Sequence, residues 1–457
     1  MAGEKVSTQD LYFGQPKNVR VEAAEKCGSD PHSIEDIYPC TPYQEDILRS
    51  ISPDSPQNAT MTFAFTLSTN LDMAHLLDAW ETVVRRTPVL RTRIVSIEGR
   101  YMQAVLKEEI VINRGLSEPD EKPVYSDISG QAINHFQLKH GCGGDHCTFI
   151  WLTHPVICDS YSVGQIFEDI AGACRGAKLP TRPNFSSFVR VLSCMDHDRA
   201  NEYWRTQFMG LECEHFPGAE SLSDQQAAIH CTIERDCPSV LKDVPAAMRT
   251  SYIMVAWSLV MSRWTLRDDV VFGTIRPGRN GTVPDSWKII GCCSALVPLR
   301  VRLDDQSSVK FATACVEEKL RSMEAYEHLG INEIRNISED ARTACNFQAI
   351  LAVSSMLHPV MQVDASNLAR HNASTLAHYG CSVILEALTD GDGLNICFQY
   401  DSSRLDHWRA QTMLEQFAFD VEQLASSRTE RQLGELERLS ERDLRIIWSW
   451  NAHVPAT

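Results

Sequence analysis

No stretch of this chain approaches the roughly 18 consecutive apolar residues that cross a bilayer. The opening Met1-Ala-Gly-Glu-Lys5 has no hydrophobic region of the signal-peptide kind. Both absences point to a soluble, cytoplasmic protein without a membrane partner. Positive charge is also short: 43 Lys and Arg against 60 Asp and Glu leave a net charge of −17. Phosphate binding needs a basic surface, so nucleic acid is excluded as the expected partner. A local basic dock is still possible at Arg85, Arg86, Arg91 and Arg93, although arginines there are better placed to end a helix and cap its carbonyls. Zinc-finger spacing is absent. There is no Gly-x-Ser-x-Gly elbow for a Ser-His-Asp hydrolase, and Gly278-Arg-Asn-Gly281 lacks the Gly-Lys-Ser/Thr ending of a phosphate loop. Short repeats and low-complexity tracts are missing too.

Cysteine is plentiful, at 16 residues. Cys158, Cys174, Cys194, Cys292, Cys293, Cys381 and Cys397 lie in or beside apolar stretches, where a free thiol packs as a small hydrophobe, so reduced thiols are expected. The run from His140 through Cys142 and His146 to Cys147 offers metal-ligand types at close spacing. Gly143-Gly144-Asp145 between two strand-like segments is nevertheless a turn signal, and the turn is the favoured reading. No metal site is expected.

At 457 residues the chain exceeds one ordinary domain and suits two lobes of about 180 to 220 residues each. Residues 1–35 are polar and poorly periodic and read as a linker. Met61–Leu67 alternates as a strand does, and Asp72–Arg86 places Leu76, Leu77, Trp80, Val83 and Val84 on one helical face. Thr92–Val95 and Tyr101–Leu106 read as strands turning at Glu98-Gly99. Cys147–Leu152 is a short apolar strand, and Ser162 onward is helical. Between them lies Thr153-His154-Pro-Val-Ile-Cys-Asp159-Ser160. Residues 184–211 read as joining helices. A second series of strands and helices follows to Leu424, with an Asp390-Gly-Asp-Gly393 turn. A mixed α+β fold of two similar lobes facing a cleft suits this recurrence. A histidine at a strand–loop–helix mouth, five positions before an aspartate, suits proton handling near neutral pH. Alone, the pattern equally fits a structural histidine.

Several segments, in order, resemble the motifs of the condensation-domain superfamily of non-ribosomal peptide synthetases. They are Ile37–Leu48, Arg85–Arg93, Tyr203-Trp204 with Gln207, Val270–Arg279, Ile290-Gly291 through Val297–Val301, and Ala325–His328. The family's core is H-H-x-x-x-D-G, and the run read against it is Thr153-His154-x-x-x-x-Asp159-Ser160, whose aspartate stands five positions after His154 where the family's stands four after its second histidine. The resemblance implies two chloramphenicol-acetyltransferase-like lobes forming a V-shaped pseudo-dimer, with a tunnel between them. The boundaries it suggests are 1–35 as a linker from an upstream carrier domain, 36–210 and 211–435 as the lobes, and 436–457 as a linker toward an adenylation domain. The chain then reads as part of a larger, fungal-type synthase, and as a monomer by itself.

By the same resemblance His154 is the catalytic residue, set where two phosphopantetheine arms meet. It would deprotonate or orient the attacking amine, or hydrogen-bond the tetrahedral intermediate. Asp159 and Arg279 would form a buried structural pair. Thr153 and Ser160, which replace the family's first histidine and its glycine, are candidate substrate or loop contacts. Packing is favoured for Thr153 and helix capping for Ser160 and Ser162, and the lost glycine suggests a strained loop. No Gly-Gly-x-Ser carrier motif is present, so phosphopantetheine would arrive on donor and acceptor carrier proteins. Amide formation is the favoured reaction. Ester formation, macrocyclisation, or a silent carrier-docking platform remain as alternatives, while heterocyclisation and epimerisation lack their motifs.

Overall fold

The computed structural model describes residues 17–50, 61–67, 73–109, 111–115, 128–140, 147–214, 216, 231–279, 283–355, 368–371, 381–426 and 430–451. The first lobe contains α1 (Lys17–Cys27), β1 (Ile34–Pro39), α2 (Pro42–Ser50), β2 (Met61–Leu67), α3 (Met73–Arg86) and the β3–β4 hairpin (Thr92–Ile97, Arg100–Leu106). It continues with β5 (Ile112–Gly115), β6 (His135–His140), β7 (Cys147–Thr153) and α4 (Ser160–Cys174). Helices α5 (Phe185–Leu192) and α6 (His197–Phe208) lead to the second lobe. There follow β8 (Cys231–Cys237), α7 (Arg249–Thr265), β9 (Asp269–Arg276), β10 (Ala295–Arg302), α8 (Val309–Ser322), α9 (Ile331–Arg335) and α10 (Glu339–Ala344). The described chain closes with β11 (Ala349–Ser355), β12 (Leu368–His371), β13 (Val383–Asp390), β14 (Gly393–Tyr400), α11 (His407–Ser426) and α12 (Glu441–Asn451).

Local chemistry sets these elements. Leu76, Ala79, Trp80, Val83 and Val84 make one buried face of α3, and Trp80 stacks on Phe149 of β7 at 4.8 Å. Glu98 and Gly99 both take positive φ, 50° and 76°, the tight turn that matches strand twist between β3 and β4. Gly391, at φ 54°, does the same between β13 and β14, where Asp390 pairs with Gly393. Helix α7 is buried nearly all round, as befits a helix between a sheet and other helices. Its Trp257 meets Phe398 of β14 and Phe417 of α11 edge-on. One continuous apolar core runs through both lobes.

Three sheets result. The small one has order β1-β4-β3, the first lobe's main sheet is β12-β2-β7-β6-β5, and the second lobe's is β10-β9-β11-β13-β14-β8. Strand β12 comes from the second half of the chain yet pairs antiparallel with β2, Leu368 opposite Phe65. The lobes therefore do not divide cleanly at residue 210.

The stretch read as a linker to residue 35 is structured from Lys17. Ala23, Ala24 and Cys27 of α1 are buried against Ile37, Val95, Met102 and Ala104, a separate small core on the back of the β1-β4-β3 sheet. The arginine cluster acts as a set of caps. Arg91 is buried, pairs with Glu35 at 2.7 Å and donates to Val84 O and Leu106 O. Arg93 reaches Cys27 O and Gly130 O. Residues 141–146, where the turn is expected, lie outside the described residues; the flanking strands β6 and β7 pair antiparallel, His140 opposite Cys147. Among the described residues no disulfide forms, no group of three potential ligands could hold a metal, and no helix is long and apolar enough to cross a membrane.

Candidate active site

The site is built where α4 of the first lobe meets the loops flanking β9 and β10 of the second. Asp159 is extended (φ −87°, ψ 172°) and its carboxylate accepts from Ser162 N at 2.9 Å, capping α4. The same carboxylate takes a two-pronged bond from Arg279, at 2.7 and 2.9 Å, and another from Cys293 N at 3.0 Å. Arg279 also donates to Ser162 Oγ at 2.8 Å, and Ser162 Oγ bonds both O and N of Gly291. Only 5% of the Arg279 side chain and 7% of the Asp159 side chain are exposed, so this pair is a desolvated clamp across the lobes. Burial opposes the Arg279 charge, but the adjacent Asp159 outweighs it and the guanidinium's pKa is raised. The Tyr161 ring lies 4.6 Å from the guanidinium. Further along α4, Arg182 binds Asp169 at 2.7 and 2.9 Å and Gln165 at 2.6 Å, while Gln165 reaches Trp287 O on the second lobe.

His154 opens a tight turn, with Ile157 N donating to its carbonyl at 3.2 Å. Its Nδ1 accepts from Val156 N at 3.1 Å. His154 and Thr153 are fully buried. The expectation of an imidazole standing in an open channel is therefore not met, because the turn folds its own backbone back onto the ring. Thr153 packs beside Cys158, whose thiol is pushed up by burial and by Asp159, with the Thr153 hydroxyl pulling the other way. Cys292 and Cys293 are likewise buried thiols beside the clamp, held neutral chiefly by burial. Ser160 is the exposed first residue of α4 and is not among the residues of positive φ. The cap is Asp159, not a serine, and serine at 160 carries no strain because the helix has already begun there.

A cleft of 350 Å³ enters between the lobes on the face lined by Thr41, Tyr101, His328 and Asn332. His154 is not among its lining residues. His328 donates from Nε2 to Gly278 O at 3.1 Å and meets Phe188 edge-on. Gly278 has φ +67°, and a side chain there would stand 1.7 Å from Cys293 O, so only glycine allows this approach.

The condensation-domain model matches residues 34–447. The chain belongs to the condensation-domain family. It matches fungal non-ribosomal peptide synthetases over nearly its whole length. It is 29% identical to the nonribosomal peptide synthetase apmB of Penicillium brevicompactum over 457 residues, 97% of this chain and 19% of that protein. It is 30% identical to fmqA of Aspergillus fumigatus over 449 residues, 95% of this chain and 11% of that protein. The chain thus spans only a small part of these relatives. The fold is also that of "The crystal structure of CT", with a TM-score of 0.69, 18% identity and coverage of 93% and 98% of the two chains. For the condensation domain of Monacolin K polyketide synthase MokA the values are 0.67, 17%, 88% and 100%.

In this condensation domain the structure brings Asp159 and Arg279 together, ends β7 at Thr153 and starts the turn at His154. With Asp159 fixed by that pair, the H-H of the family's H-H-x-x-x-D-G falls on His154 and Pro155, so the expectation that Thr153 stands for its first histidine and His154 for its second is one residue out. Sequence reasoning missed Gln44, Ser162 as a cross-lobe contact, and His328 as a buried neutral ring. Gln44 and His328 both lay inside segments already noticed for their motifs. Burial lowers the His328 pKa to about 4 from 6.5. Unfolding lets that ring take a proton at its ordinary pKa. Its neutral form therefore contributes stability that is fully present above pH 6.5 and is lost as pH falls through about 4. The gap between 6.5 and about 4 corresponds to on the order of 3 kcal/mol. Asp46 and Asp420, both pushed up to about 6 mainly by burial, work in the opposite sense, strengthening the fold as pH falls from 6 toward 3.8. Urea unfolding of the wild type and His328→Leu across pH 4 to 7 isolates the histidine. The wild type should lose about that amount relative to the variant, and parallel profiles would contradict it.

Proposed function

We propose that this domain forms an amide bond between a donor acyl or peptidyl thioester and an acceptor aminoacyl thioester, both carried on phosphopantetheine arms of partner carrier proteins. The observation that carries this reading is the placement of His154 in a turn locked to the cross-lobe Asp159–Arg279 clamp. In the reaction the acceptor amine attacks the thioester carbonyl, a C–N bond forms and the C–S bond breaks. The donor's pantetheine leaves as thiolate, taking up the proton that the amine loses. A thioester is already activated, so holding two tethered ends together supplies much of the rate.

In this proposal His154 is the catalytic residue and Asp159 and Arg279 are structural. Thr153 packs beneath the turn, and Ser160 is left to the helix surface. The domain binds no cofactor covalently and works as a monomer between an upstream donor carrier and a downstream adenylation domain with its acceptor carrier. Residues before α1 and residues 436–457 serve as the connections. The cleft between the lobes is one approach for a pantetheine arm.

A second reading is favoured by one specific observation: the ring has no exposed surface. A domain of this fold with a closed site acts as a silent docking platform for carriers. To separate the two, donor and acceptor carriers are loaded with defined aminoacyl groups, mixed with the domain, and followed by mass spectrometry of the acceptor. Amide-linked product dependent on the domain is the expected result. Carrier binding with no product supports the platform, and an ester-linked product overturns amide specificity.

A further inference from the structure

We infer that His328 is a second histidine of the site, whose Nδ1 lone pair, open to the cleft between the lobes, accepts an N–H from the amine of the acceptor aminoacyl group. The assignment rests on the amide-forming reading given under Proposed function, and it names the group that meets the attacking amine. The geometry begins at a backbone carbonyl. Gly278 O lies 3.1 Å from His328 Nε2. A carbonyl oxygen can only accept, so Nε2 carries the proton of the neutral ring and Nδ1 carries a lone pair. That tautomer is locked, because His328 is 6% exposed and Gly278, at φ +67°, brings its backbone against the ring edge. Burial also keeps the ring uncharged at neutral pH. Nδ1 makes no hydrogen bond among the described residues. Nor is it a sealed, unpartnered nitrogen as Arg335 Nε is, so it opens on the 350 Å³ cleft that His328 lines.

The cleft lies against the clamp on both sides. In the second lobe, Gly278 immediately precedes Arg279, which binds Asp159. In the first lobe, the cleft-lining Thr41 donates from its N to Gln44 Oε1 at 2.8 Å, and Gln44 Nε2 donates to Val156 O at 2.6 Å. One buried side chain therefore separates the cleft from the His154 turn. The turn itself offers an amine little. Counted back from Asp159, the family's second histidine position is Pro155, whose ring nitrogen is an amide and accepts no hydrogen bond, and His154 Nδ1 is already taken by Val156 N. His197 also lines the cleft, but it pairs with Glu333 at 3.2 Å and its side chain is 55% exposed, so water competes for it.

An accepting nitrogen is what a nucleophilic amine needs. The amine bonds through one N–H and keeps its own lone pair aimed at the thioester carbonyl. Asp46 lines the same cleft and already takes an amide N–H from Asn332 at 2.7 Å, so this wall collects N–H donors. A pantetheine arm has amide N–H groups of its own, and the test therefore compares arms that differ in the amine alone.

The full chain is mixed with two carrier proteins, one bearing an alanyl group and one a propionyl group, each joined to pantetheine by a stable amide. Histidine-selective 15N labelling reads His328 Nδ1, assigned by the signal lost in His328→Leu. An unprotonated Nδ1 is expected in the free domain, shifted by the alanyl carrier and unmoved by the propionyl one. Equal shifts give Nδ1 to the pantetheine arm, and no shift with either denies the contact; both outcomes overturn the inference. In turnover, His328→Leu should lower kcat/KM for an alanyl acceptor by about tenfold, the size of one neutral hydrogen bond, with KM for the donor carrier unchanged. His328→Gln can bond Gly278 O through its N–H and offer an oxygen to the amine, and should recover most of that loss. Equal loss in both variants, for donor and acceptor alike, marks a structural role and overturns the assignment. The 15N measurement needs no turnover, so a wild-type domain that shows the alanyl shift but makes no product counts against the proposed function alone.

Discussion

Asp159→Ala is expected to lower the unfolding free energy by about 3–5 kcal/mol, because it strands the Arg279 charge in a buried setting. Two losses occur together in this variant, and their sizes decide which dominates. Removing the cap of α4 costs about 1 kcal/mol. Leaving a guanidinium that is 5% exposed without its two carboxylate bonds costs several times more. Asp159→Asn separates them, since its amide oxygen still caps Ser162 N while the charge is gone. It should recover only the smaller part. Replacing both partners by apolar side chains, Asp159→Leu with Arg279→Met, should be milder than either single change, because no unpaired charge remains. Chemical denaturation of these variants measures all of this. An Asp159→Ala protein that unfolds at the wild-type midpoint would mean the clamp contributes nothing, and the two lobes are held by packing alone.

The second large effect is on turnover. His154→Ala should reduce kcat for amide formation by roughly 10²–10⁴-fold while KM for each loaded carrier stays near the wild-type value. The reason is positional. The ring is fully buried, so a carrier docking on the outside does not meet it, and only the bond-making step can sense its loss. Single-turnover kinetics with both carriers in excess supply the measurement. If His154→Ala turns over like the wild type while the wild type is active, the ring is structural and another group performs the transfer.

Much of the fold was legible because its elements follow strong periodic signals. Helix α3 starts one residue from the expected Asp72 and ends at the expected Arg86, and both tight turns lie where their glycines placed them. The site was legible only through resemblance. Arg279 and Asp159 lie 120 residues apart, and no spacing rule joins them. Helix α1 was missed because its buried face is small, just Ala23, Ala24 and Cys27, and its other residues are polar. The strain expected at Ser160 did not arise because the preceding aspartate already performs the cap. Gln44 lies within the Ile37–Leu48 motif, but nothing in the sequence gives it a role, since its partner Val156 is brought beside it only by the tertiary fold. The closed turn over His154 was likewise invisible, as it depends on a backbone amide and not on any side-chain pattern.

Strand β12 has a consequence for how such chains can be recombined. Because Leu368–His371 completes the edge of β2 in the other lobe, a first half severed near residue 210 would bare an unpaired strand edge, a template for aggregation. A transplanted second half would carry a piece of its neighbour's sheet with it. The unit that can be moved between synthases is therefore the interlocked pair, and a seam drawn through the middle of the chain cuts a sheet instead of a linker.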